Sequence, residues 1–297
     1  YDGQTRSGLT PVDIGADAGN YIGLDLAPPA ISYTVLANTS LTTNRTLAVT
    51  MTDVTGVATG GLAPRIYYRK NAGAYFSQAC SLASGSVTNG SWNCIVNNAD
   101  LGGVVAADVI GYFVIAQDTL GNVGSNPAGA VAANVNTVTT PPTPNTYTIV
   151  AAFSGSIPVG TGQTYTSLTN PGGIFEAINA GALAGNVSID ITSDLTVETG
   201  TNALNQWPED GVGGYTLTIR PNAAARTVSG TNAGALIRLN GADRVTIDGS
   251  TTGGTATGVG GNALLRELTI QNTNVGTSAV VIAVQSGAAG AQNNTIR

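Results

Sequence analysis

Between Pro29 and Thr140 the chain alternates short apolar runs with clusters of Gly, Asn, Ser and Thr, and no helical period lasts longer than a turn. Ile31–Val35, Leu47–Met51, Arg65–Arg69 and Asp108–Ile115 are rich in β-branched and aromatic residues and often alternate, which reads as strand after strand. Asp118–Asn122 reads as a tight hairpin with Gly121 in the left-handed position. Six or seven strands in about 110 residues are most simply buried as a two-sheet sandwich.

After residue 147 the pattern changes to a repeat. Val187–Asp190 (VSID), Leu217–Arg220 (LTIR), Val245–Asp248 (VTID), Leu268–Gln271 (LTIQ) and Asn294–Arg297 (NTIR) share a hydroxyl residue, an isoleucine and a polar residue in order. The isoleucines Ile189, Ile219, Ile247, Ile270 and Ile296 are separated by 30, 28, 23 and 26 residues. Further apolar runs, Ala235–Leu239 and Ala279–Val284, lie between them. A coil of about 25 residues cannot bury its apolar side alone, whereas stacked coils can. The expectation is a parallel β-helix with the five isoleucines as one ladder. Before it, Asn170 as cap, Pro171 in the first turn, and Ile174, Phe175 and Ile178 on one face predict a short helix over the first coil.

These patterns divide the chain into an extended segment at 1–28, a sandwich at 29–140, a Pro-rich linker at 141–146 and a β-helix at 147–297, open at its C-terminal end. The sandwich resembles bacterial immunoglobulin-like and fibronectin-type modules through Ile66–Arg69, Cys80 with Cys94, and Tyr112–Asp118 followed by Gly121-Asn122. The second half is similar to the β-helix regions of large secreted bacterial surface proteins at Thr164–Leu168, Ala177–Asn179, Ala203–Trp207, Tyr215–Pro221 and Val245–Gly249. That resemblance implies a right-handed coil and an extracellular, cell-surface location. Ser7–Pro11 and Asp13–Ala16 look like the closing segment of such a helix, so Leu9, Val12, Ile14 and Ala16 are the expected assembly strand.

Composition narrows the chemistry. Of the 297 residues only 9% are charged, the net charge is −6, and Lys70 is the single lysine. A nucleic-acid partner needs a basic stripe, so none is expected. No run of 18 apolar residues occurs, so no membrane insertion is expected. Cys80 and Cys94, 14 residues apart, suit a disulfide stapling a hairpin, worth about 3 kcal/mol by loop entropy, with two reduced thiols as the alternative.

Histidine is absent, which removes the commonest general base and zinc ligand. Polysaccharide-cleaving β-helices use clustered acids or a basic residue with calcium-binding acids. The acids available are Asp190, Asp194, Glu198, Asp243 and Asp248, with Arg220, Arg238, Arg244 and Arg266. Asp190, Arg220, Asp248, Gln271 and Arg297 hold one repeat position, however, and an outward ladder of alternating charge explains their spacing. Gly253–Gly261 reads as a loop joining two coils rather than a phosphate cradle. Asp118 with Asn122, or Asp13 with Asp17, read as turn formers, with a calcium ion as the alternative. Trp207–Asp210 is either an exposed contact or a Trp folded back over the coil edge.

No catalytic, metal or cofactor residue is therefore expected. The functional expectation is an extracellular filament or adhesin-like stalk. It binds copies of itself head-to-tail by strand addition, or continues as a longer tandem chain. A carbohydrate-binding or polysaccharide-cleaving β-helix, with surface polysaccharide as partner, is the alternative.

Overall fold

The computed structural model describes residues 24–251, 266–287 and 290–297. The protein is all-β, with a single α-helix among the described residues. Two compact units divide it. One contains the chain up to Leu36, Asn44–Gly102 and Gly111–Thr146; the other contains Ala37–Thr43, Gly103–Ile110 and Tyr147–Arg297.

The first half forms β1 (Ala30–Ser32), β2 (Arg45–Thr52), β3 (Arg65–Lys70), β4 (Phe76–Ala79), β5 (Ser81–Gly85) and β6 (Asn89–Val96). β7 (Val109–Gln117), β8 (Val123–Asn126), β9 (Val131–Ala132), β10 (Val138–Thr140) and β11 (Asn145–Thr148) follow. One sheet has the order β1-β2-β6-β5; a second has β11-β7-β3-β4 with β8 on β7; β9 and β10 form a short ribbon. The pairs β1–β2, β2–β6, β5–β6, β3–β4 and β7–β8 are antiparallel.

Alternation explains β2, where Leu47, Val49 and Met51 are buried and their neighbours face out. β7 is a continuous apolar run because both of its faces are covered. Phe113 and Ile115 pack with Val135 on one of them, and Tyr67 stacks on Phe113 at 5.1 Å with Tyr75 edge-on at 5.4 Å. Gly121 (φ +95°) takes the left-handed position in the turn between β7 and β8.

β4 and β5 are one extended run that leaves one sheet and joins the other, and Cys80 is the residue at the switch. It is disulfide-bonded to Cys94 of β6, both buried, so the staple fixes the crossing point.

The second half forms β12 (Ala152–Val159), α1 (Ile174–Ala180), β13 (Ala182–Ile191), β14 (Leu195–Glu198), β15 (Leu204–Asn205) and β16 (Leu217–Pro221). β17 (Arg226–Gly230), β18 (Ala235–Asn240), β19 (Val245–Ile247), β20 (Leu268–Asn272), β21 (Val280–Gln285) and β22 (Thr295–Ile296) follow. All the pairs among these strands are parallel. They make three sheets, β12-β13-β16-β19-β22, β14-β17-β20 and β15-β18-β21. From β13 onward the chain visits the three sheets in turn and returns to the first.

The inner faces share one core, in which Ile189, Ile219, Leu195, Val228, Leu204 and Leu239 are buried. Each such side chain contributes on the order of 1.5–3 kcal/mol by leaving water. Gly230 lets coils stack closely, since a Cβ there would lie 1.7 Å from the Glu198 carbonyl oxygen.

The helix starts later than the cap pattern predicts. Gly173 is its N-cap, Pro171 precedes it, and the Glu176 carboxylate accepts the Gly172 N–H at 2.7 Å. Asn170 instead bridges to β14, donating to the Val197 carbonyl and accepting from Thr199. The apolar face is the one expected: Ile174, Phe175 and Ile178 are buried in the core.

Candidate functional site

The first parallel sheet arranges the repeated tetrapeptides in rows. Ile157, Ile189, Ile219, Ile247 and Ile296 stand in register on successive strands. Ile270 does not join them: it lies in the second sheet, opposite Val228. The expected five-residue ladder is corrected accordingly. A full circuit takes 30 residues from Ile189 to Ile219, 28 from Ile219 to Ile247 and 49 from Ile247 to Ile296, and the 23 residues from Ile247 to Ile270 reach only the next sheet. The strand Arg226–Ser229 (RTVS) carries the same pattern as LTIQ, because alternation suits any sheet of a coil.

On the outward side, Ser156, Ser188, Thr218, Thr246 and Thr295 form a hydroxyl row. Beside it runs a charged row: Asp190 opposite Arg220, then Asp248, then Arg297. Gln271 stands outside this row and pairs with Ser229. Arg220 Nε donates to Asp190 at 2.7 Å, and Arg297 Nη2 donates to Asp248 at 2.9 Å. The row is not the freely solvated ladder that its spacing suggests: both carboxylates are buried, and the two guanidinium groups stay partly exposed. Burial pushes the Asp190 carboxyl up, but Arg220 and the hydroxyls of Ser156 and Ser188 outweigh it and hold Asp190 below the usual range. Arg220 is pushed up, chiefly by its bond to Asp190. A shallow groove of about 340 Å³ runs over this face, lined by Ser188, Thr218, Arg220, Asp248 and Arg297 among others.

The far end of the column differs from its middle. Ile189, Ile219 and Ile247 are 0%, 1% and 2% exposed, whereas Ile296 is 61% exposed. Val280, Val281 and Val284 of β21 are also exposed. β20, β21 and β22 each end their sheet, so among the described residues each is paired along one edge only. Leu9, Val12, Ile14 and Ala16 lie outside the described residues, as do Asp13, Asp17 and the Gly253–Gly261 segment.

The other acids serve as clamps. Glu198 is buried and accepts from Ser167 Oγ, Leu168 N, Thr169 N and Thr169 Oγ1, binding the segment before α1 to β14. Glu209 accepts from Gly214 N, Tyr215 N, Trp207 Nε1 and Arg244 Nη2. Burial raises the Glu209 carboxyl, yet these donors leave it below the usual range. Trp207 is folded back into the core rather than exposed. Asp210 accepts the hydroxyls of Thr39 and Ser40, and Asp194 accepts Thr227 N at 2.9 Å. Asp243 accepts Gln292 N. Arg238 donates to the carbonyls of Gly200 and Thr201, and Arg266 is exposed.

In the first unit, Asp118 meets two acids that the sequence reading did not connect with it. One oxygen each of Asp25, Asp53 and Asp118 lies within 4.8 Å of the others. Thr55 Oγ1 lies between them, 2.9 Å from Asp53 and 3.3 and 3.4 Å from Asp25 and Asp118. Asn122 donates to Asp118 from its side chain at 2.6 Å and its backbone at 2.7 Å. Burial raises the Asp118 carboxyl, but these bonds and those from Leu120 and Gly121 hold it below the usual range. An all-oxygen set of this kind suits a hard divalent cation by chemistry.

A further feature went unread in the sequence: asparagines at the coil corners. Asn240 Nδ2 donates to Asn205 Oδ1 one coil earlier, and the Asn205 backbone N–H donates to Asn179 Oδ1. Asn272 donates to the Asn232 carbonyl, and Asn232 to that of Thr199. Asn186 and Asn294 accept the backbone N–H of Thr216 and Val245. These amides satisfy backbone groups that the turns leave without ladder partners. The recurring Asn before or after each apolar run was the available signal.

No family model matches the chain, and no curated protein matches it in sequence. Among the described residues no helix is long and apolar enough to cross a membrane.

Proposed function

We propose that the chain is a non-catalytic extracellular structural protein, a subunit of a surface filament or adhesin-like stalk. In this reading the first half is an immunoglobulin-like sandwich and the second a right-handed parallel β-helix. The last coil of one copy is continued by the N-terminal segment of the next, around Leu9–Ala16, through strand addition. The observation that supports a structural role is the in-register stacking of Ile157, Ile189, Ile219 and Ile247 on parallel strands, with Asp190, Glu198, Glu209 and Asp248 engaged in hydrogen bonds and ion pairs inside that stack. A contact of this head-to-tail type does not close on itself and propagates as a fibre.

Deletion of residues 1–20 tests the proposal. The shortened protein stays monomeric in sedimentation and negative-stain imaging, while the full chain polymerises. Unaltered polymerisation of the shortened protein would refute strand addition by this segment. Intact mass of the native material identifies the competing case, one long tandem chain.

The polar groove over the first parallel sheet supports a second reading, a polysaccharide-binding or polysaccharide-cleaving β-helix. Against cleavage, Asp190 and Asp248 are both engaged with arginines rather than poised as a general acid and base. Release of reducing ends or unsaturated products from a glycan panel would favour this reading.

A further inference from the structure

β13 and β16 lie inside the first parallel sheet, with a neighbouring strand on both edges. Their outward residues form a grid of three pairs. Ser188 stands beside Thr218 and Asp190 beside Arg220, while Asn186 accepts the Thr216 N–H at 2.9 Å. Such pairs are about 4.8 Å apart across the strands and about 6.6 Å apart along them. Ser156 and Thr246 continue the hydroxyl row on the flanking strands, so four rungs span roughly 14 Å of this face.

The polar groups of the grid divide into engaged and unengaged. Asp190 is recessed and accepts from Ser156, Ser188 and Arg220. Arg220 commits only Nε to that bond, and the Nη1–Nη2 edge of its partly exposed guanidinium has no partner among the described residues. The same holds for the hydroxyls of Thr216 and Thr218 and for the amide nitrogen of Asn186. All four residues line the groove.

Three properties select the occupant. The unengaged groups are mostly donors, so they match an oxygen-rich ligand. No aromatic side chain lines the groove, which leaves no stacking platform for a nucleic-acid base or an apolar ring. The Asp190–Arg220 pair cancels its own charge, Asp248 is buried beside it, and the chain carries a net charge of −6, so an anionic polymer gains no attraction.

We propose that this groove binds a linear neutral polysaccharide laid across the strands, with Asn186, Thr216, Thr218 and Arg220 donating to its hydroxyl and ring oxygens. This rests on the polysaccharide-binding reading and commits it to neutral sugars, bound without cleavage. The bond from Nε to Asp190 fixes the guanidinium plane in advance, so its fork meets two sugar oxygens without ordering a flexible side chain. A groove without stacking binds weakly by itself and gains strength where several copies are arrayed.

Calorimetric titration of the full chain with the neutral hexasaccharides of glucose, mannose and xylose, and with hexagalacturonate, tests the proposal. A neutral sugar binds, and its affinity changes less than about twofold between about 0.05 and 0.5 M salt. Thr218→Val, which keeps the shape and removes the hydroxyl, weakens binding about threefold to tenfold, and Arg220→Lys about tenfold. Thr227→Val, on β17 of the second parallel sheet, binds as the wild type does. Binding of hexagalacturonate alone, falling with salt, overturns the neutral ligand and leaves the polysaccharide reading intact. Unchanged binding by Thr218→Val, or an equal loss in Thr227→Val, overturns the assignment to this groove. Shortened sugars recovered after incubation overturn binding without cleavage. Failure of every sugar to bind overturns the inference together with the reading beneath it.

Discussion

The two halves bury similar side chains by different means. In the first, strands distant in sequence meet: β2 pairs with β6, and one continuous run, β4–β5, switches sheets at the Cys80–Cys94 disulfide. In the second, each strand meets its counterpart from the neighbouring coil, so contacts are nearly one-dimensional. Removing one link in the first half should loosen both of its antiparallel sheets, whereas damage in the second should depend on the position of the rung. Trp92 and Trp207, both buried, lie one in each unit and can report on them separately.

The largest expected effect is in the middle of the column. Ile219→Ala should cost about 2–5 kcal/mol in a denaturant titration followed by Trp207 fluorescence in a Trp92→Phe background. Nearly as large is loss of the disulfide. Replacing Cys80 and Cys94 together by Ser should cost about 3 kcal/mol, read by Trp92 in a Trp207→Phe background. If Trp207 instead registered the larger change, the assignment of the staple to the first unit's stability would be wrong.

Smaller effects concern the charged row. Arg220→Ala leaves the buried Asp190 with hydroxyl donors only and should cost about 1–2 kcal/mol, between the values for exposed and buried pairs. Because the Asp190 carboxyl lies below its usual range when folded, its contribution is present above the unfolded value and is lost as pH falls through the folded one. Arg220→Ala should therefore move the acid limb of the second unit's stability curve to higher pH. An unmoved limb would show that Asp190 owes its state to Ser156 and Ser188 instead.

The smallest effect belongs to the last rung. Ile296→Ala in the monomer should change stability by less than about 0.5 kcal/mol, because its side chain is mostly in solvent. A cost near that of Ile219→Ala would mean that the last coil is covered, and the comparison between middle and end would fail.

Much of this was legible in the residues themselves. Alternation gave β2, and the unbroken apolar run of β7 required covering on both faces. The tetrapeptide repeat marked strands, and the cluster of Ile174, Phe175 and Ile178 marked the helix. The site was less legible. LTIQ and RTVS look like any other rung, so nothing local told Ile270 that it belonged to another sheet. The pairing of Asp118 with Asp25 and Asp53 joins residues about 65 to 93 positions apart, beyond any local pattern.

The amino-acid order by itself determined periodicity, hence which residues form strands and which of their faces is apolar; it determined too the cysteine spacing and the alternating charges. Only the tertiary structure decided which strands are neighbours, which sheet each rung joins, and where the acids are buried against arginines. The reason is physical: side-chain alternation is a property of one strand, whereas register is a property of two, and burial requires the whole stack.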